Sequence, residues 1–367
     1  MSESPAPKPA APTFESGARA MNEALQTKGV EAYFADASDP LHKAFIAKAA
    51  VHSGPGGRPL IGEEAEKAID SHYDTPRSGR SLAYIHVPFC ETRCLYCMFY
   101  QNPWKEEATT EYAKQLVKEL ELWSDRAAQN AAPINALYFG GGTPTAFSPD
   151  DIRLVMGAVK KYLPLANDCE ITLEGRIHNF SDAKMDAAIE SGVNRFSLGV
   201  QTFNTQIRQS VMRVDDRDTI IRRLDKLCSY NNASVVCDMI YGFPGQTMEV
   251  WEDDLKTAAS LHLDGVDCYQ LNVFEKSPLA RYIANGKLPR AATSDEKADF
   301  FAKSVEYFTS QNWRRLSNNH WGRTIRERNI YNAWGKSACD CLAFGCGAGG
   351  RLAGYSYMME RKLADYY

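Results

Sequence analysis

From residue 81 the chain switches repeatedly between two hydrophobic rhythms. Short β-branched, aromatic and aliphatic runs occur at SLAYIHV (81–87), INALYFG (134–140), CEITLEG (169–175), RFSLGVQ (195–201), SVVCDMIYG (234–242) and VDCYQLNVF (266–274). Between them, apolar positions recur at helical spacing near 106–124, 149–163, 181–192, 216–230 and 247–261. Strands that alternate with amphipathic helices predict βαβ units and a parallel sheet. Six such units predict an α/β fold in the form of a partial (β/α)6 barrel, smaller than the eight-unit form. Chemistry in such barrels collects at the C-terminal ends of the strands.

The marked residues follow that rule. A cysteine loop comes after the first strand and GGGTP after the second; Glu174 and Arg176 end the third and Gln201 the fourth. Asp238 lies within the fifth, and Asn272 closes the sixth. Residues 1–18, rich in Pro, Ala and Ser, read as a disordered lead without the apolar core of a signal peptide. Residues 19–80 read as an N-terminal extension, part helical (GARAMNEALQ, AEKAIDSHY) and part loop (SGPGGRPL). The barrel is expected over 81–286 and a C-terminal accessory region over 287–367. The run RKLADYY reads as the interior of a helix without a stop signal, so the chain is expected to be shorter than a full homologue.

Composition narrows the function classes. The 367 residues are 44% hydrophobic and 24% charged, with a formal net charge of -4, so nothing favours a nucleic-acid partner. No window supplies the run of about 18 apolar residues that a membrane span requires. Ten cysteines without an export signal are expected in a reducing cytoplasm, where clustered thiols bind metal or do chemistry. Cys169, Cys237 and Cys268 fall in strand-like runs and read as small core residues.

Cys90, Cys94 and Cys97 form the spacing Cx3Cx2C in YIHVPFCETRCLYCMFYQN. A structural zinc site closes with four protein ligands, and no fourth Cys or His follows nearby. A redox pair would explain Cys94 and Cys97 but leave Cys90 idle. Three thiolates suit a [4Fe–4S] cluster held at three irons, with the fourth open to an outside ligand. The run Gly140-Gly141-Gly142-Thr143-Pro144 lets backbone groups approach a ligand closely, although a tight turn alone would also explain it.

With these motifs the chain resembles the radical SAM superfamily, and over 81 to about 355 it resembles the HemN-like branch. The residues that carry this are YIHVPFC, GGGTPT, TLEGR, GVNRFSLGVQTFN, MRVDD and DMIYGFPGQT. The resemblance implies that S-adenosylmethionine (SAM) chelates the open iron and is cleaved to a 5′-deoxyadenosyl radical. It implies SAM contacts at Tyr84, Tyr96, Gly141, Gly142, Thr143, Glu174, Gln201, Arg213, Asp238 and Asn272. Glu174 and Asp238 can accept hydrogen bonds from hydroxyls or an ammonium, and Arg213 can pair with a carboxylate. A buried ion pair within the barrel is the other reading of the two acids.

Within the branch, the coproporphyrinogen oxidase carries a cysteine two positions past the third cluster ligand, where this chain has Phe99. CMFYQN, DPLHKAF and LSNNHWGR are instead similar to haem-utilisation proteins of the HutW/ChuW type. That likeness implies anaerobic opening of haem to a linear tetrapyrrole with methyl transfer and release of iron. It also implies a flavodoxin-like or other low-potential electron donor. A haem chaperone that keeps the cluster and SAM motifs, and the porphyrinogen decarboxylase, are the alternatives. His320 is a candidate haem or proton-handling group, while His86 is expected to pack. Cys339, Cys341 and Cys346 could bind metal or carry a radical relay, and SYMMERKLADYY is expected to form a packed amphipathic helix.

Overall fold

The computed structural model describes residues 39–43 and 58–367, apart from residues 336 and 338. Residues 1–58 and Pro59–Tyr367 form separate units. Of the first, Pro40–Lys43 is a helical turn preceded by Asp39, which binds His42 Nδ1 at 2.8 Å. The lead, GARAMNEALQ and most of SGPGGRPL lie outside the described residues.

The second unit opens with helix α1 (Glu63–Tyr73) and strand β1 (Ser81–Val87). Then follow α2 (Glu106–Leu122), β2 (Ile134–Gly141), α3 (Pro149–Tyr162), β3 (Leu165–Gly175), α4 (Asp182–Glu190) and β4 (Arg195–Gln201). The alternation ends with α5 (Arg217–Ser229), β5 (Ser234–Tyr241), α6 (Met248–Ser260) and β6 (Gly265–Gln270). The six strands pair in chain order and all in parallel. This is the expected α/β architecture. Every residue of β4 is buried, as befits a parallel strand covered on both faces.

Helix starts are written locally. Ser148 accepts from the Asp151 N–H while Asp151 returns a bond to the Ser148 N–H, with Pro149 at the first helical position. Ser181, Asp216 and Thr247 cap α4, α5 and α6, each accepting from the backbone N–H three residues on.

The C-terminal residues extend this same sheet at both edges. After α7 (Ser294–Ser310), β7 (Arg314–Arg315) and β8 (His320–Gly322) join antiparallel to β6. Strand β9 (Asp340–Phe344) returns to lie parallel to β1, followed by β10 (Gly349–Leu352) and β11 (Tyr355–Met358). The sheet therefore has eleven strands in the order β11-β10-β9-β1-β2-β3-β4-β5-β6-β8-β7.

Here the structure corrects the expected terminal helix. Ala353 (φ 50) and Gly354 (φ 84) form a two-residue turn that pairs Leu352 with Tyr355. Residues 355–358 are therefore a hairpin strand, and only Leu363–Tyr366 is helical. Tyr357 packs against Gly350, and its phenol accepts from the Ala343 N–H and meets Tyr73. Cys169, Cys237 and Cys268 are buried core residues.

Candidate functional site

The loop after β1 presents the three thiols. Cys90 and Cys94 are buried and Cys97 is partly exposed. A turn bonds Cys97 N–H to Cys94 O, and Leu95 is stitched to Val211 O and to the Leu279 N–H. Leu95 also joins Ile207, Val211, Phe243, Leu271 and Leu279 in a small apolar cluster of its own. The sequence buries one Leu in the loop so that the thiols have a fixed base.

Each sulfur receives at least one donor. Thr143 Oγ1 lies 3.3 Å from Cys90 Sγ, Arg176 Nη2 3.0 Å from Cys94 Sγ, and the Phe99 N–H 3.3 Å from Cys97 Sγ. Burial alone would push the Cys94 thiol pKa up, but Arg213, Arg176 and the Tyr96 hydroxyl outweigh it and hold it down. Burial prevails at Cys90 and Cys97, which are raised. Phe99 itself is 62% exposed.

The glycine run is a matter of clearance. A Cβ on Gly142 would lie 2.6 Å from Phe89 O, and one on Gly140 would lie 2.8 Å from Glu174 Oε2. Gly141 has φ 111 and covers the His86 ring, so a side chain fails there twice. Its N–H and the Tyr138 hydroxyl both donate to Glu174. Burial, then Asp238, raise the Glu174 pKa to about 8 against those two bonds. Burial and Asp267 raise Asp238 to about 7, opposed by Arg195, Ser197 and His320.

At the end of β4 the register slips between Gly199 and Gln201, and Gln201 adopts φ 74. A bulge with a left-handed residue re-aims a side chain at the cost of strain. Gln201 Oε1 is buried without a hydrogen-bond partner, and a Cβ on Gly199 would strike Gln201 Nε2 and Arg213 Nη2. Arg213 follows the left-handed Met212 and donates from Nε to Tyr96 OH at 3.1 Å. Asn272 lies in the loop after β6, two residues past the strand end at Gln270, and does not close the strand as expected.

Tyr84, Tyr96, Glu174, Gln201, Arg213 and Asp238 thus gather with the glycines around the cysteine loop and the adjoining lumen. Three thiols, each with hydrogen-bond donors, suit a cluster. An orphan amide oxygen, a guanidinium and two carboxylates beside bare glycine backbone suit a ligand with amino-acid and hydroxyl groups.

His320 lies apart. It is 0% exposed, with Nδ1 2.6 Å from Asp267 Oδ2 and Nε2 3.0 Å from Glu327 Oε1. Burial alone would lower its pKa, but Asp267 and Glu327 raise it to about 9. Glu327 also pairs with Arg195 at 3.1 Å, and Arg195 and His320 pull its pKa down to about 2 against burial. Asp267 pairs in register with Asp238, so His320 reaches the pocket only through other residues.

Sequence reasoning missed Arg195, Asp267, Glu327, Tyr138 and Tyr331. Arg195 and Asp267 had one available signal, a charge inside an apolar strand run.

Comparisons with known proteins agree with this geometry. The profile described as Radical SAM superfamily matches residues 84–258. Anaerobilin synthase from Escherichia coli O157:H7 is 42% identical over 313 residues, covering 85% of this chain and 70% of that protein. The haem chaperone HemW of Lactococcus lactis is 26% identical over 276 residues, covering 75% and 70%. Among solved structures, coproporphyrinogen III oxidase (HemN) from Escherichia coli superposes with TM-score 0.70 at 22% identity, covering 83% of this chain and 71% of that one. That last likeness is one of fold.

Proposed function

The chain belongs to the radical SAM superfamily, and from that premise we propose that it is an enzyme that degrades haem without oxygen. The observation that carries this reading is the 42% identity to anaerobilin synthase across 85% of the chain. The haem chaperone match, at 26%, is more distant.

In this reading Cys90, Cys94 and Cys97 would hold a [4Fe–4S] cluster, with SAM in the adjoining glycine pocket. Bound there, the pair would supply a carbon-centred radical for chemistry on the macrocycle. The protein's own residues do the rest. Glu174 with Gly141 and Gly142 receives the amino group of SAM, and Arg213 and Gln201 take its carboxylate end. Asp238 and Asn272 take ribose hydroxyls, with Tyr84, Tyr96 and Thr143 at the edges of the pocket. Arg176 and Thr143 donate to the cluster sulfurs, and such bonds tune the potential at which electrons enter. His320 acts through Asp267 on Asp238, as a positioning residue.

Haem is the substrate, a methyl group is transferred, and a low-potential one-electron carrier of the flavodoxin kind is the donor. No described helix is long and apolar enough to cross a membrane. The test is anaerobic incubation with haem, SAM and a strong reductant. Loss of the haem absorbance with formation of a linear tetrapyrrole supports the reading; haem bound intact, with SAM also intact, refutes it.

A further inference from the structure

Three tyrosines form a compact cluster of near-parallel rings beside the glycine pocket. Tyr138 and Tyr331 stack at 4.7 Å between ring centroids and 28° between planes. Tyr84 lies 6.4 Å from Tyr138 and 6.1 Å from Tyr331, again near parallel. All three are partly buried.

The two ends of the cluster are chemically distinct. At one end, a Cβ on Gly140 would touch Glu174 Oε2, Tyr138 and Tyr84 at 2.8–3.0 Å, so both rings border the glycine pocket. The Tyr138 hydroxyl donates to Glu174. The Tyr84 hydroxyl meets His86 Nδ1 at 2.9 Å, and burial together with Arg361 lowers the His86 pKa to about 4 despite a bond to Gln101. That imidazole is neutral near pH 7 and free to take a phenolic proton. At the other end, the Tyr331 hydroxyl donates to Cys341, a partly exposed thiol on β9. Cys341 pairs in register with Leu82, two residues before Tyr84 on β1, so thiol and ring share one face of the sheet.

We propose that Tyr138, Tyr331 and Cys341, with Tyr84 and His86 as a side branch, form a hydrogen-atom relay that ends radical chemistry in the glycine pocket. The relay rests on the radical SAM reading of that pocket. Phenolic O–H and thiol S–H bonds are weaker than an alkyl C–H bond, so transfer to a carbon radical runs downhill. In the first step the carbon radical takes the Tyr138 hydrogen. A C–H bond forms, the O–H bond breaks, and the tyrosine is oxidised by one electron. Cys341 then reduces Tyr138: its electron crosses the stack through Tyr331, the phenol takes one proton from water, and the thiol releases its own proton to water. The thiyl sulfur finally takes one electron from the low-potential one-electron donor and one proton from water. Tyr84 can hold the oxidised state in parallel, with its proton resting on His86.

The full chain, reconstituted anaerobically, is turned over in D2O with SAM and dithionite, without haem and without added thiols. The 5′-deoxyadenosine formed should carry one solvent deuterium, and Tyr138→Phe should lose that label. An unlabelled product from the unsubstituted protein, or a Tyr138→Phe product as labelled as the parent's, overturns the relay. A second measurement needs neither cluster nor SAM. Flash oxidation of the apo-protein with ruthenium(III) tris-bipyridine should give a neutral tyrosyl radical signal that lives longer in Cys341→Ala, because its terminal hydrogen donor is gone. Equal lifetimes overturn the relay as well. A complete absence of 5′-deoxyadenosine would instead sink the SAM reading, and the apo-protein lifetimes would still decide the relay.

Discussion

Arg176 Nη2 stands 3.0 Å from the Cys94 sulfur, while Nη1 of the same guanidinium holds Thr92 Oγ1 at 2.6 Å. One side chain from the end of β3 thus fixes the cysteine loop and places a positive charge beside the Cys94 sulfur. Replacing it by Met should lower the reduction potential of the reconstituted cluster. A charge-assisted hydrogen bond contributes about 1.5–3 kcal/mol, or roughly 60–130 mV for one electron if all of it favours the reduced state. An EPR-monitored redox titration reads the shift, and an unchanged or higher potential contradicts the role.

Much of this arrangement could be read from the sequence, because the signals were local. β1 and β4 begin and end at the expected residues, since their apolar runs stop at Pro88 and at the bulge of Gln201. Helices α3, α4 and α5 fall within the helical spacings near 149–163, 181–192 and 216–230, and Ser148, Ser181 and Asp216 cap them. What could not be read was pairing across the chain. Glu327 is ordinary in sequence, yet it meets Arg195, 132 residues earlier in the chain, as well as the nearby His320. The return of β9 to β1 depends on a register that no local pattern specifies. SYMMERKLADYY misled because alternating aromatics fit either period once the Ala353-Gly354 turn is overlooked.

The network around His320 should make the apo-protein sensitive to alkali. Its pKa is raised from 6.5 to about 9, so its stabilising contribution is complete below 6.5 and is lost as pH rises through 9. Asp267 and Glu327 face it, with Arg195 and Asp238 behind them. His320→Gln should cost about 3–5 kcal/mol near neutral pH by leaving buried charge uncompensated, and it should flatten the decline between pH 7 and 9. Urea melts across that range test this; an equally steep decline in the variant contradicts it.

Glu174 and Asp238 should behave in the opposite sense on substitution. Their pKa values are raised to about 8 and 7, so ionising them in the folded state costs stability as pH climbs through those values. Glu174→Gln and Asp238→Asn should therefore unfold at higher temperature than the parent at pH 9. Each should also bind SAM roughly 10- to 150-fold more weakly, from about 1.5–3 kcal/mol of lost charge-assisted bonding. Calorimetric melts and titration of SAM onto the reconstituted protein read both effects. Unchanged SAM affinity would remove the residue from the pocket.

Iron content separates the two cysteine groups. Cys90→Ala, Cys94→Ala and Cys97→Ala should each lose the cluster, whereas the triple variant Cys339→Ala, Cys341→Ala, Cys346→Ala should keep all of its iron. Among the described residues no three His, Cys, Asp or Glu side chains gather to hold a single metal ion. Iron lost from the triple variant would reveal a second metal site.

The central claim is the reaction on haem, and product analysis under strict anaerobiosis tests it most directly. With haem, SAM and a low-potential reductant, the protein should bleach the Soret band. Mass spectrometry should then find 5′-deoxyadenosine, S-adenosylhomocysteine and a methylated open-chain tetrapyrrole, all absent with Cys94→Ala. A Soret band that persists on tightly bound haem while SAM remains whole, or carbon dioxide released from coproporphyrinogen III in its place, would contradict the account.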